Sequence, residues 1–266
     1  MPRSAHGGRH ELGQNFLHHQ PTIDRIVALV RHTSGPILEI GAGDGVLTRA
    51  LAGLDRPLTA IDIDEHRVLR LRRALPGVRV EHADAMRHPL TAPVVVGNIP
   101  FHLTTPILRR LLAGTQWQHA VLLTQWEVAR KRAGVGGRTM MTAQTAPWFD
   151  FILAGRVPAG CFTPVPSVDG GLLSITRRES PLVASMHRRA YEDFVRAVFT
   201  GSGGTLARIV QRAAGTDAGT ARRALTAARI PGHSLPRDLD PGQWSALWTV
   251  VRRVRPAGLR SAASGG

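Results

Sequence analysis

From residue 37 to residue 132 the chain alternates short apolar runs with longer stretches in which apolar residues recur every three or four positions. The short runs suit buried strands, and the 3.6-residue recurrence suits amphipathic helices packed against them. Strands are therefore expected near 37–41, 58–62, 78–82, 93–97 and 119–125, with helices near 46–54, 64–75, 103–113 and 126–132. Such alternation implies a parallel sheet covered by helices on both faces. Ahead of it, Ile23, Ile26, Val27 and Val30 recur at helical spacing behind Pro21, which a first helical turn tolerates. The run Arg130 to Gly137 breaks the pattern with charge and glycine, and is expected to be a mobile basic loop. Two more strands are expected near 148–156 and 170–177, on either side of the proline-rich turn Cys161 to Pro166. After Arg178 strand signals stop, and residues 185–200, 205–214, 218–229 and 241–253 read as helices broken by glycine and proline. This divides the chain into a basic arm over 1–12, a sheet domain over 13–178, a helical domain over 179–255 and a tail over 256–266. The arm is expected to be flexible and the tail disordered.

Charge changes this picture more than composition does. The 266 residues are 43% hydrophobic, ordinary for a globular protein with a full core, but carry a formal net charge of +15. All but one of the 34 basic residues are arginine, Lys131 being the exception. Codon bias accounts for arginine replacing lysine, but not for 34 bases facing 19 acids. From residue 181 on, thirteen arginines face five acids, so the helical domain is itself basic. A polyanion is the expected partner, with nucleic acid the first candidate. No apolar run approaches the ~18 residues of a membrane span, and the polar, basic start is not a secretory signal. The lone Cys161 excludes an internal disulfide and fits a reducing cytoplasm. The twelve histidines show no metal-ligand spacing, so no metal is expected.

Ligands of open α/β sheets bind beyond the carboxyl ends of the strands, so the residues there carry the candidate chemistry. The first strand is followed by Gly41, Gly43 and Gly45, a turn that lets backbone approach a nucleotide-like cofactor closely. A dinucleotide fingerprint wants glycine at position 46, which is Val46, and no Gly-Lys-Ser/Thr phosphate loop occurs. Dinucleotides are thereby disfavoured. Asp62 ends the second strand, where a carboxylate can accept from both ribose hydroxyls, and Asp84 follows the third, placed for an adenine amine. The fourth ends in Asn98-Ile99-Pro100-Phe101. The Asn98 side-chain carbonyl and the Ile99 main-chain carbonyl are two acceptors for an exocyclic amine, and Phe101 offers a face for a flat ring.

Gln14-Asn15-Phe16-Leu17, Glu39 to Gly45, Asp62, Asp84, Asn98 to Phe101, Gln125 to Ala129 and Phe162 to Asp169 follow the order found in ribosomal RNA adenine N6-methyltransferases. The resemblance covers about residues 13–178 and extends more loosely over the helical part. Ile99 and Phe101, Gly137 to Thr142 and Trp148 to Asp150 look most like the Erm group, which methylates 23S rRNA and confers macrolide-lincosamide-streptogramin B resistance. The 16S rRNA dimethyltransferases, the nearest alternative, usually carry Asn-Leu-Pro-Tyr at this turn. The resemblance implies a Rossmann-like S-adenosylmethionine-dependent methyltransferase sheet with a small C-terminal all-α domain. It implies S-adenosylmethionine bound by Gln14, Asn15, Leu17, Gly41, Gly43, Asp62, Ile63, Asp84, Ala85 and Asn98. It implies catalysis at Asn98, Ile99, Pro100 and Phe101, with Phe162 covering the other base face or serving as a core aromatic. Two residues depart from the usual pattern: Asp62 replaces the commoner Glu, and Phe101 the commoner Tyr.

The implied partner is 23S rRNA, gripped by Arg130, Lys131, Arg132, Arg138, Arg208, Arg212, Arg222 and Arg223, because RNA affinity rests largely on phosphate neutralisation. The enzyme is expected to be a cytoplasmic monomer. The target adenine has to leave its stack to reach such a site. An RNA-binding or ribosome-assembly factor without turnover is the reading from another class, and the intact amine-orienting turn argues against it.

Overall fold

A computed structural model describes residues 14–202 and 204–254. The arm expected over 1–12 and the tail expected over 256–266 lie outside the described residues. Strand β1 (Phe16–Leu17) and helix α1 (Gln20–Arg31) precede the main alternation. That alternation runs β2 (Ile37–Ile40), α2 (Val46–Ala52), β3 (Leu58–Asp62), α3 (Glu65–Ala74), β4 (Arg79–His82) and β5 (Val94–Asn98). It continues with α4 (Thr104–Ala113), β6 (His119–Gln125) and α5 (Trp126–Arg132). After α6 (Met140–Thr145) come β7 (Phe149–Val157), β8 (Phe162–Thr163) and β9 (Gly170–Arg177).

Seven strands form one sheet in the order β4-β3-β2-β5-β6-β9-β7. The pairs β4–β3, β3–β2, β2–β5 and β5–β6 are parallel, as the alternation with helices requires. The expectation of a parallel sheet fails at β9, which runs antiparallel to β6 with Gly170 opposite Gln125. Chain returning from the proline-rich turn enters β9 at the carboxyl end of β6, where Trp126 N donates to Asp169 O. No crossover lies there to reverse it. That reversal brings the turn to the end of the sheet where ligands bind.

Every residue of β2 is buried, which is why its sequence reads as a continuous run rather than an alternation. Ile37, Val94 and Val96 share one packed cluster with Ile23, Ile26 and Val30 of α1 and with Leu47 and Leu51 of α2. Leu38, Val95 and Leu122 alternate with that face and are equally buried. Helix α3 starts where Asp64 accepts from Arg67 N at 3.2 Å, and it seats Val68 and Leu71 against Ala60 and Val80.

Contacts divide the protein into two compact units, one of residues up to Arg130 with Phe151–Arg177, the other of Lys131–Asp150 with the chain from Arg178 on. The second unit therefore includes residues 131–150, which the sequence pattern groups with the sheet. It holds α6 and four further helices, α7 (Arg188–Thr200), α8 (Leu206–Ala214), α9 (Ala218–Ala227) and α10 (Pro241–Val254). Its core is aromatic. Tyr191 meets Trp148 and Trp248 edge-on at 5.5 and 5.8 Å, and its hydroxyl donates to Ala143 O at 2.8 Å. Those contacts tie 131–150 to α7 and α10, and an Arg178–Asp150 ion pair joins it to the chain that leads into the helices. The stretch expected as a mobile loop is helical as far as Arg132, then turns through Gly134, Gly136 and Gly137 at positive φ.

Candidate active site

The first wall of the site is the turn that leaves β2. Gly41 N and Ala42 N both donate to Ile61 O, at 2.9 and 3.0 Å, which bends the chain across the end of β3. Gly41, Gly43 and Gly45 take φ of +75°, +55° and +76°, where a side chain costs roughly 1–2 kcal/mol per residue. At Gly45 there is also no room, since a Cβ would lie 2.1 Å from Leu71 Cδ2. At Gly41 there is room, with Asn98 O 3.6 Å away.

Asp62 props this turn from below. It is 2% exposed, its Oδ2 accepts from Gly43 N at 2.7 Å and its Oδ1 from Asp64 N at 2.9 Å. Beside it lies Glu39, 1% exposed, whose Oε2 has no hydrogen-bond partner. Burial pushes the Glu39 carboxyl up to about 8, the Asp62 charge adds to that rise, and the Thr48 hydroxyl nearby offsets part of it without meeting hydrogen-bond geometry. Glu39 opens one of the motifs of the resemblance but had no role assigned from sequence. Its signal was an acid inside an otherwise apolar strand, a residue type rarely buried without a purpose.

The second wall is the turn that leaves β5. Asn98 Nδ2 donates to Asn15 O at 2.7 Å, which fixes the amide so that its Oδ1 is left as the acceptor. Ile99 N donates to Leu123 O at 2.9 Å, holding the turn on β6, and Pro100 opens a 3₁₀ turn over Phe101–Leu103. Phe101 is half-buried and meets Phe162 edge-on, with centroids 6.4 Å apart. Phe162 is fully buried, 0% exposed, and packs in the main cluster with Leu17, Val157 and Leu172. It backs Phe101 and presents no free face of its own. Strand β1 closes the site by pairing with β8, Phe16 opposite Thr163 and Leu17 opposite Phe162.

Together these parts line a cavity open to solvent, with about 630 Å³ of empty space when the open mouth is included. Of the residues proposed from sequence, Gln14, Asn15, Leu17, Gly41, Gly43, Asp62, Asn98, Ile99, Pro100 and Phe101 line it. Ile63, Asp84, Ala85 and Phe162 do not. Ile63 is 37% exposed past the end of β3, and Asp84 uses Oδ1 to accept from Met86 N at 2.7 Å. Ala85 offers its carbonyl to Arg110 at 3.0 Å. Phe16, Glu39, Ala42, Asp44, Val46 and Leu47 also line the cavity without having been assigned a role from sequence. Among the described residues, no helix is long and apolar enough to cross a membrane, and no three His, Cys, Asp or Glu side chains gather as a metal site.

The basic residues expected to meet RNA differ in state. Lys131, Arg208, Arg212, Arg222 and Arg223 are exposed. Arg130 is partly covered and pairs with Glu127 at 2.9 Å, Arg132 donates to Thr139 Oγ1 at 2.5 Å, and Arg138 is half-buried with its main-chain N on Arg237 O at 2.8 Å.

A sheet of this order, parallel from β4 to β6 and antiparallel at β9, with a glycine turn and an Asn-X-Pro-aromatic turn at the ends of adjacent strands, defines a Rossmann-like methyltransferase. The ribosomal RNA adenine dimethylase family model matches residues 5–238. The mycinamicin-resistance protein MyrB of Micromonospora griseorubida is 48% identical over 261 residues, 95% of this chain and 83% of that protein. An rRNA adenine N-6-methyltransferase of Corynebacterium diphtheriae is 50% identical over 214 residues, 79% of this chain and 85% of that protein. The crystal structure of the 23S rRNA methyltransferase ErmE superposes with a TM-score of 0.81 at 33% identity, covering 90% of this chain and 100% of that one. The chain belongs to the ribosomal RNA adenine dimethylase family.

Proposed function

We propose that this protein transfers a methyl group from S-adenosylmethionine to the exocyclic N6 of an adenine in 23S rRNA, and so confers macrolide-lincosamide-streptogramin B resistance. The observation that carries the reading is the Asn98 amide. With one N–H of its NH₂ given to Asn15 O, the amide is held in the orientation that leaves Oδ1 free to accept, as recognition of an amine requires. The 23S target is supported by the relatives named above, among them a mycinamicin-resistance protein and a 23S rRNA methyltransferase.

The residues fit the cofactor. Glu39 Oε2 is buried and unpartnered on the cavity wall with Asp62 beside it, and a cationic ligand group there would lower the raised Glu39 pKa and stabilise its carboxylate. Gly41 leaves backbone uncovered where a side chain would narrow the cavity. When bound, S-adenosylmethionine supplies an electrophilic methyl on a positively charged sulfur. Asn98 Oδ1 and the Ile99 carbonyl accept from the adenine amine, draw it out of the ring plane and aim its lone pair. Phe101 holds the ring by stacking, with Phe162 fixing Phe101 from behind. The gain is orientation and electrostatics, and no strong base is required, because the nitrogen's proton becomes acidic once the nitrogen is alkylated. Ile63, Asp84 and Ala85, outside the cavity proper, would meet the cofactor's adenine end at the surface, and the exposed arginines of the second unit would meet RNA phosphates.

Labelled-methyl transfer to separated 16S and 23S rRNA tests the reading. Label should enter 23S rRNA, and Asn98→Ala should lower kcat about 10²–10³-fold with RNA affinity unchanged. Label confined to 16S rRNA would reassign the enzyme to small-subunit dimethylation, and normal turnover in Asn98→Ala would remove the mechanism.

A further inference from the structure

We infer that Arg67, outside every motif of the resemblance, is a positioning residue for methyl transfer, acting through Phe16 and the Asn15 carbonyl on the Asn98 amide. The inference rests on the role proposed for Asn98.

Arg67 stands on the third residue of α3, with its side chain only 11% exposed. Its guanidinium lies 4.2 Å from the centroid of the Phe16 ring, and two carboxylates hold it there. Asp44 Oδ1 accepts from Nη1 at 2.6 Å, Asp64 Oδ2 accepts from Nε at 3.1 Å, and Asp64 is itself fixed as the helix cap. The ring also abuts the glycine turn, where a Cβ on Gly43 would come within 3.1 Å of Phe16. Phe16 is thus held by a guanidinium over its ring and by the backbone of the glycine turn. A plane fixed by two carboxylates stacks on a ring at little further entropic cost, which a lysine ammonium cannot reproduce.

What Phe16 carries is the neighbouring peptide. Asn15 O is the acceptor that holds Asn98 Nδ2, across 83 residues of sequence. If the ring is released, the Asn15 carbonyl loses its fixed position and the amide of Asn98 is free to turn. A turned amide presents NH₂ to an incoming amine, donor against donor. A small displacement of this kind is expensive for a reaction that depends on aim.

The experiment compares Arg67→Met, Arg67→Lys and Arg70→Met with the parent enzyme in labelled-methyl transfer at saturating cofactor and RNA. Arg70 also pairs with Asp44, at 2.7 Å, but is 62% exposed and has no place in the machinery, so its variant removes charge from Asp44 without touching the stack. Arg67→Met is expected to lower kcat by about tenfold to a hundredfold, with RNA KM within twofold. Arg67→Lys should recover only a small part of that loss, and Arg70→Met should match the parent. Phe16→Leu should reproduce the Arg67→Met defect, and the double variant should be no worse than the worse single one. Parent-like kcat in Arg67→Met overturns the inference, as does a loss confined to KM. A kcat loss in Arg67→Met fully restored by lysine overturns it too, since charge alone would then suffice. Should Arg67→Met fail to fold, Phe16→Leu and Arg67→Lys decide by the same split. Normal turnover in Asn98→Ala would instead sink the role of Asn98, and is read separately.

Discussion

The glycine turn after β2 and the Asn98–Phe101 turn after β5 leave the same edge of the sheet from adjacent strands, yet they are held in different ways. The glycine turn is shaped by its own backbone, three glycines at positive φ, with a carboxylate nineteen residues on to steady Gly43 N. The Asn98 turn has no such freedom of backbone. Its working geometry is set by Asn15 O, by Leu123 O and by a buried Phe162, all distant in sequence. The first turn is a shape that the chain makes locally. The second is an aim that the fold imposes, which suits its task, because a cofactor cradle tolerates small shifts that a nucleophile's line of attack does not.

Substitutions where the two strands meet should show that difference most strongly. A Cβ on Gly97 would lie 2.6 Å from Ile40 O and 2.7 Å from Ile40 Cγ1, so Gly97→Ala has to force β5 from β2. It should cost about 3 kcal/mol in urea unfolding, with methyl transfer lost along with the aim of Asn98. A Gly97→Ala protein with parent stability and activity would mean that the Asn98 turn tolerates far more movement than its contacts imply.

Glu39 gives the next effect, and it depends on pH. Its carboxyl titrates near 4.5 when unfolded and about 8 when folded, so the folded state holds an extra proton between those values. Stability is greatest below the lower value and falls as pH rises through the window, by at most ~1.4 kcal/mol per unit. Glu39→Gln removes that slope. Urea denaturation should find the variant less pH-sensitive than the parent between pH 5 and 8, with the difference in its favour growing toward pH 8. Equal slopes in the two proteins would show that Glu39 ionises as freely as an exposed acid.

Gly41→Ala should be smaller again. Its added methyl has room beside Asn98 O, so the cost is backbone strain alone, about 1–2 kcal/mol. The fold should survive, with cofactor affinity reduced about tenfold and kcat at saturation nearly unchanged. Titration with the cofactor and single-turnover assays separate the two quantities. A kcat loss as large as that of Asn98→Ala would erase the distinction between cradle and aim.

Much of the protein was legible in its residues because the physics there is local. Apolar runs and helical spacings depend on neighbours a few positions apart, so helices expected over 46–54 and 64–75 are found at Val46–Ala52 and Glu65–Ala74. Glycines at alternate positions announce a left-handed turn for the same reason. Helix α6 stayed hidden, since its six residues follow a glycine-rich stretch and its place depends on Tyr191 reaching Ala143. The direction of β9 was hidden too, because period-2 patterning carries no sense of parallel or antiparallel.

At the site the sequence by itself determined which chemical groups are present: two acceptors, an aromatic face, acids after the strands and a glycine turn. Tertiary structure decided what each group does. It turned Phe162 inward to back Phe101, and it bound both oxygens of Asp62 to backbone N–H groups. It also gave the NH₂ of Asn98 to a carbonyl on the other side of the sheet domain's sequence. A residue type limits the bonds a side chain can make. Only the folded chain, by bringing residue 15 to residue 98, chooses which of those bonds are spent on structure and which remain for the substrate.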